Sequence, residues 1–254
     1  MSGPVAVSVI VITFNEEENI EACLDSVKWA GEIIVVDSLS TDSTVEIAKR
    51  FTEKVYSTEW QGYGGAKAYG LERATHEWVL WLDADERVTP ALADELAGIL
   101  TRPSPEAGWE VARRAYFIGT WIRHCGWYPG YVVRLFRKGA ARFSQPHVHE
   151  RVELTGGTGR LTNDLLHYTD ETIFHYLAKF DRYTTLAAKD LLERRRTTSW
   201  YDLLVRPPFM FVKMFVFKRG FLDGMHGFVL SLLSSAYVFM KYAKAWEMER
   251  RTSY

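Results

Sequence analysis

Residues 78–86 read Trp78-Val79-Leu80-Trp81-Leu82-Asp83-Ala84-Asp85-Glu86. An apolar run ends in two carboxylates one residue apart, with a third directly behind them. Such a run, bounded by polar residues, reads as a strand covered on both faces. The Asp-x-Asp at its carboxyl end is an oxygen clamp. Hard divalent cations such as Mg²⁺ or Mn²⁺ take oxygen ligands, and Mg²⁺ is commonly held by one or two carboxylates together with substrate phosphates. The stretch predicts a buried strand that delivers a metal–diphosphate site.

The same grammar extends upstream. Residues 7–13 are a continuous apolar, β-branched run, expected as a strand. Asn15 is expected to cap the following helix, with Glu16, Glu17 and Glu18 near its positive end. Ile20, Cys23, Leu24 and Val27 then recur at helical spacing. Residues 33–36 form a second buried strand ending at Asp37, and Ser40-Thr41-Asp42 should cap a second helix. A short third strand is expected at 54–56, and a glycine-containing loop running into a helix at 62–74. Thr89-Pro90 opens another helix, with Leu92, Leu96 and Leu100 on its apolar face. Strands alternating with helices imply a parallel, doubly wound sheet, in which ligands bind at the carboxyl ends of the strands. Asn15, Asp37 and Asp83 all fall at such ends.

Past Arg102-Pro103-Ser104-Pro105 the rhythm changes. Short strands are predicted at 109–113, 131–136, 142–143 and 148–154, and a long helix at 172–196. The expected organisation is a catalytic domain over 1–200, its nucleotide-binding half at 5–102 and its acceptor half at 103–200, followed by a tail over 201–254. The chain has 254 residues, 47% of them hydrophobic and 25% charged, enough for a sizeable core. Cys23 and Cys125 are far apart and read as free thiols in a reducing compartment. The amino terminus lacks a basic n-region, so its apolar run reads as a first strand and not as a secretory signal.

The net charge of −1 hides an asymmetry: residues 190–254 carry 11 Lys+Arg against 6 Asp+Glu. Pro207-Pro208 introduces Phe209, Phe211, Phe215 and Phe217, and apolar residues then recur at three and four through Ala243. This is an amphipathic helix with a wide apolar face. The stretch 224–240 contains His226 and three serines and falls short of the about 20 apolar residues of a span. An anionic membrane surface is therefore the expected partner. Packing on the catalytic domain or in a homo-oligomer, and a genuine span, stay open. Nucleic acid is not an expected partner.

Three motifs now stand together: Thr13-Phe14-Asn15-Glu16, Asp37-Ser38-Leu39-Ser40-Thr41-Asp42 and Asp83-Ala84-Asp85-Glu86. In order and spacing they resemble the inverting family-2 glycosyltransferases over roughly residues 5–170. The subgroup most similar is the bacterial lipopolysaccharide-core glucosyltransferases. The resemblance implies an α/β fold of the GT-A type: a Rossmann-like, mostly parallel sheet with helices on both faces, plus C-terminal amphipathic helices. It implies a UDP-hexose donor, a lipid-linked saccharide acceptor, a divalent metal cofactor (Mg²⁺ or Mn²⁺), and a position on the inner face of the cytoplasmic membrane.

It also implies residue roles. Thr13, Asn15 and Glu16 would hold base and ribose, and Asp37 would accept the uracil imide N–H. Lys67, in Gly64-Gly65-Ala66-Lys67, resembles the family's basic residue near the diphosphate. Asp83 would reach the ribose or a metal-bound water, and Asp85 would ligate the metal. Inverting transfer needs a base on the far side of the sugar. Glu150, in Pro146-His147-Val148-His149-Glu150, is the candidate, with Glu153 and Asp170 as rivals. His149 would orient that base or contact the donor. His147 and His149 also have metal-ligand spacing, and His167 is a further possible ligand by resemblance. Trp121, Trp127, Tyr128 and Tyr131, with Arg123, Arg134 and Arg137, suit a phosphorylated sugar acceptor. Three other readings stay open: a polyprenyl-phosphate sugar synthase, which needs no general base; a nucleotidyltransferase, disfavoured by the missing glycine-rich Arg-Lys loop; and a non-catalytic docking module.

Overall fold

In strand β1 (Val5–Thr13), Val7, Val9 and Val11 face one side of the sheet, while Ile10 and Ile12 face the other. Both sets are buried, as the unbroken apolar run requires. The computed structural model describes residues 3–59, 62–143, 152–194 and 196–251. After β1 come α1 (Ile20–Asp25), β2 (Ala30–Asp37), α2 (Thr44–Ala48), β3 (Val55–Ser57), α3 (Gly62–Arg73), β4 (Trp78–Asp83), β5 (Glu86–Val88) and α4 (Pro90–Leu100). There follow β6 (Gly108–Phe117), β7 (Thr120–Trp121), β8 (Gly130–Arg137), β9 (Ala141–Phe143), β10 (Val152–Leu154), β11 (Thr158–Arg160) and β12 (Leu165–Asp170). The chain ends in helices α5 (Ile173–Glu193), α6 (Trp200–Leu204), α7 (Arg206–Val212) and α8 (Gly224–Arg251).

The main sheet runs β3-β2-β1-β4-β8-β6-β12-β5, with β7 and β11 beside β6; β9 and β10 form a separate pair. The strands β3, β2, β1 and β4 are mutually parallel, and β8 joins them antiparallel. On one face α1, α2 and α4 bury Ile20, Leu24, Ala48, Leu92 and Leu96 against Val7, Val9, Val11 and Leu82. On the other, α3 packs on Ile10, Ile34 and Val36. Each fully buried branched side chain contributes about 1.5–3 kcal/mol. This is the mixed α/β architecture expected from the sequence. The chain divides into two compact units, Met1–Arg113 with Gly130–His167, and Arg114–Pro129 with Tyr168–Tyr254.

Some local expectations change. Asn15 does not cap a helix: it sits at φ 52° in the left-handed region, which asparagine tolerates, and α1 begins five residues later, at Ile20. Gly64 and Gly65 lie inside α3 and not in a loop. Gly70 on that helix lets it approach the sheet, since a Cβ there would stand 2.5 Å from Ile10 Cγ2. Strands β5, β7, β11 and β12 were not anticipated, because their two to six residues carry no clear alternation. Helix α8 runs to Arg251, 11 residues past Met240. Among the described residues one helical stretch, Gly220–Arg251, is long and apolar enough to cross a membrane, by length and composition alone.

The amino ends of the strands are tied by Glu32, 7% exposed. It accepts hydrogen bonds from Ser8 Oγ on β1 and from Thr75 N–H (2.8 Å), and pairs with Lys54 ahead of β3. Burial alone would raise the Glu32 carboxyl; the Lys54, Ser8 and Thr75 bonds outweigh it and hold the group at about 2, against 4.5 ordinarily. A folded-state value below the unfolded one gives stability that is complete above pH 4.5 and lost as pH falls towards 2. Glu32→Gln should therefore lower unfolding free energy at pH 7 by about 2 kcal/mol, discounted for the half-exposed Lys54. The deficit should shrink below pH 4 in urea titrations.

Candidate active site

The parallel register decides which side chains meet. Thr13 of β1 lies opposite Asp37 of β2, and Ile12 lies opposite Asp83 of β4. Adjacent strands are about 4.8 Å apart, so three strand ends open onto one rim. Asp37 is 1% exposed. It accepts from Ser40 N–H (3.1 Å) and Ser40 Oγ (2.5 Å), which fixes the turn after β2. That turn clasps the loop after β1. Asn15 N–H donates to Ser40 Oγ (2.8 Å), Thr41 N–H donates to Asn15 Oδ1 (2.8 Å), and Glu16 N–H donates to Thr44 Oγ1 (2.8 Å). Asn15 therefore orders the rim rather than a helix start. Glu16 Oε2 accepts from Asn19 Nδ2 at 3.0 Å. The Thr13 hydroxyl is buried without a hydrogen-bond partner among the described residues.

Beside this rim stands a charge cluster. Strand β8 pairs antiparallel with β4 and carries Arg134, 1% exposed, beneath the Asp-x-Asp turn. Its guanidinium donates to Asp83 Oδ2 (2.8 Å) and to the fully buried Glu86, and lies 3.5 Å over the Trp81 ring. Lys67, 4% exposed, also sits 3.5 Å over Trp81. Arg113 of β6 reaches Glu86 at 3.8 Å. Strand β12 pairs with β5 so that His167 lies opposite Glu86, and His167 Nε2 comes 3.5 Å from Asp85 Oδ2.

The electrostatics follow from these contacts. Burial pushes the Asp83 carboxyl up, but Arg134, then Lys67, His167 and Arg113, pull it down to about 2. Burial disfavours charge on His167, yet Asp85 raises its proton affinity above the ordinary value. Burial and the Arg134 charge lower Arg113; Arg134 itself is raised, its burial outweighed by Glu86 and Asp83. Cys23, which donates weakly to the Asp83 carbonyl at 3.7 Å, is pushed up by burial and the three neighbouring carboxylates and stays a thiol.

Thr13, Asn15, Glu16, Asp37, Lys67, Asp83, Asp85 and His167 thus belong to one unit, around neighbouring strand ends. Glu150, His147 and His149 lie outside the described residues. Glu153 is exposed on β10, and Asp170 belongs to the other unit, where Lys179 Nζ stands 3.8 Å away. Arg134 is consumed by the carboxylates, and Arg137 pairs with Glu77 over Trp78. Among the described residues no group of three or more His, Cys, Asp or Glu forms a ready-made cation cage. The donors present, carboxylates and one imidazole, still fit Mg²⁺ or Mn²⁺ by chemistry, with phosphates and water completing the shell. Sequence reasoning missed the roles of Arg134, Arg113 and Glu86. Arg134 carried a signal, a charge inside the apolar stretch Val132-Val133-Arg134-Leu135-Phe136, whereas Arg113 and Glu86 stand among other charged residues and carried none.

Residues 8–142 match the family model "Glycosyl transferase family 2". The chain belongs to glycosyl transferase family 2. Over 253 residues this glycosyltransferase is 31% identical to the lipopolysaccharide core biosynthesis glycosyltransferase LpsC of Rhizobium meliloti, covering 94% of this chain and 92% of that one. It is also 31% identical to a glycosyltransferase of Rickettsia typhi, covering 97% and 88%. Its fold is shared with the mannosyltransferase PcManGT of Pyrobaculum calidifontis, solved with GDP-Man and Mn²⁺, at 18% identity and TM-score 0.54, covering 96% and 88%. The family's fold and class of chemistry, sugar transfer from a nucleotide sugar, are therefore this chain's.

Removing one partner of a buried ion pair costs about 3–5 kcal/mol. Arg134→Met in this glycosyltransferase should lose that much in urea unfolding, and the Asp83 carboxyl should rise from about 2 towards its ordinary value. A loss under 1 kcal/mol would show that Arg134 does not hold the two carboxylates.

Proposed function

We propose that the enzyme transfers a hexose, glucose first among candidates, from a UDP-sugar to a lipid-linked saccharide such as the lipopolysaccharide inner core, with inversion and with a divalent cation. The observation that carries this is the convergence of Asp37, Asp83 and Asp85 on neighbouring strand ends beside buried cations. The relative named for lipopolysaccharide core biosynthesis supports the acceptor class.

The residues divide the work. Asp37 keeps acceptor capacity beyond its Ser40 bonds, because a carboxylate offers about four lone-pair sites. A uracil imide N–H would take one of them. Thr13, Asn15 and Glu16 line the adjoining rim for base and ribose. Arg134 holds Asp83 Oδ2 and leaves Oδ1 for the ribose or a bound water. Asp85 and His167 would hold Mg²⁺ or Mn²⁺ with the donor phosphates, and the cation would supply Lewis-acid neutralisation of the leaving diphosphate. Lys67 adds positive charge beside it. A divalent cation and a doubly charged UDP-sugar would enter together without net charge. Glu150 is the proposed base that deprotonates the acceptor hydroxyl. Free thiols at Cys23 and Cys125 favour the reducing, cytoplasmic side of the inner membrane.

Calorimetry of UDP with and without Mn²⁺ tests the site: Asp85→Ala should abolish the Mn²⁺-dependent gain in affinity, and an unchanged gain would remove the metal assignment. Glu150→Gln should reduce released UDP about 10²–10⁴-fold under turnover while UDP binding persists. Near-normal turnover in that variant would move the acceptor from a hydroxyl to a phosphate, the polyprenyl-phosphate reading.

A further inference from the structure

In the second unit α7 continues through a π-helical turn, Lys213–Phe217, into a 3-10 turn, Gly220–Asp223, and then reverses into α8. Arg219 (φ 55°) and Gly224 (φ 60°) make the reversal, and α7 packs back against α8. The result is a helical hairpin whose tip spans residues 217–225. That tip is apolar where it is most exposed: Phe217 is 67%, Phe221 51%, Leu222 56% and Met225 72% exposed. Aromatic rings pack together at the base of the tip. Phe215 stacks on Phe211 at 5.4 Å and meets Phe228 edge-on at 5.7 Å.

The charge around the tip has one sign. Lys213, Lys218 and Arg219 are exposed. Between residues 213 and 225 there are three Lys or Arg and a single acid, Asp223. Asp223 is withdrawn from the surface: its side chain is 5% exposed and accepts from His124 N–H (2.8 Å) and from the His124 ring (2.9 Å). Exposed aromatic and aliphatic side chains flanked by these three exposed cations match the boundary between acyl chains and anionic headgroups. A protein partner would need a deep apolar pocket rimmed by acids, and a second copy of this tip would bring like charges together.

We propose that the hairpin tip, residues 217–225, together with Lys213 at its base, seats this enzyme on an anionic bilayer by inserting its apolar side chains to headgroup depth. Helix α8 does not cross. Its buried stripe, including Leu230, Val238 and Tyr242, packs into the unit. Its distal half is pinned to α5 by Lys244 Nζ, 2.7 Å from Asp181 Oδ1 and 2.9 Å from Thr184 Oγ1. A helix tied along one side by polar bonds cannot be surrounded by lipid. This surface stands independently of the donor and acceptor.

The test is co-sedimentation of the full chain with vesicles of 30 mol% phosphatidylglycerol in phosphatidylcholine, against pure phosphatidylcholine. Binding should favour the anionic vesicles and be released by alkaline carbonate. Replacing Lys213, Lys218 and Arg219 by Gln should lower the partition constant about a hundredfold, near fivefold per charge. The triple change Phe217→Ser, Leu222→Ser, Met225→Ser should lower binding to both vesicle types with the melting temperature unchanged, because these side chains are exposed. Three results would overturn the proposal: binding unaltered by either triple change; retention after carbonate, which means a span; or no vesicle binding alongside a dimer that the apolar triple dissociates.

Discussion

The flush parallel pairing of β1 with β2 and β4 is the constraint on which the site rests. A slip of one residue in a parallel strand turns every side chain to the opposite face. Here it would also move Asp37 or Asp83 off the rim. The register is held from both ends. At the amino side Glu32 gathers Ser8, Thr75 and Lys54. At the carboxyl side the loops after β1 and β2 bind each other through Asn15, Ser40, Thr41 and Thr44. The polar residues therefore do what the apolar strands cannot: hydrophobic burial chooses the face, and directional bonds choose the position along it.

The second requirement is electrostatic. Three carboxylates within four residues repel one another, and their burial makes that worse. Arg134 resolves it by binding Asp83 and Glu86 at once while stacking on Trp81. A buried pair of this kind is weak evidence for stability in itself, since desolvation offsets much of the attraction. Its use lies in pre-organisation. Asp83 stays ionised far below neutral pH, and its orientation is fixed before substrate arrives. Because Asp83, Glu86 and Arg134 sit on strands and Asp85 in the two-residue turn between β4 and β5, their geometry is stiff in the sense that a cation and a diphosphate need.

What could be read from the sequence follows from this division. The parallel strands announce themselves as apolar runs, and their last residues are the site, so Asp37, Asp83 and Asp85 were legible locally. Arg134 and Arg113 were not. They arrive on β8 and β6, a mutually antiparallel pair, about 50 and 30 residues further on, and only the register shows which residue faces the Asp-x-Asp turn. His167 entered through resemblance, and the pairing of β12 with β5 supplied its reason. Asn15 looked like a cap because capping and left-handed turn residues share the same chemistry: a short side chain that bonds nearby backbone. The pairing of segment 114–129 with the C-terminal helices left no local trace.

The C-terminal region shows why periodicity alone could not say what faces outward. Its apolar residues recur at helical spacing on a broad face, wide enough to serve packing and exposure together. The small residues separate the two. A Cβ on Gly227 would fall 1.9 Å from the Gly220 carbonyl oxygen, and one on Gly220 would meet Cys125 Sγ at 2.6 Å. Glycine at both positions lets the 3-10 turn lie directly on α8. Once that contact is made, the inner stripe of α8 is filled by Gly227, Leu230 and Ser231, and the bulkier Phe221, Leu222 and Met225 have no room on the inside. The exposed apolar tip is thus the geometric consequence of the close turn, and the cations around it decide which kind of surface can cover it.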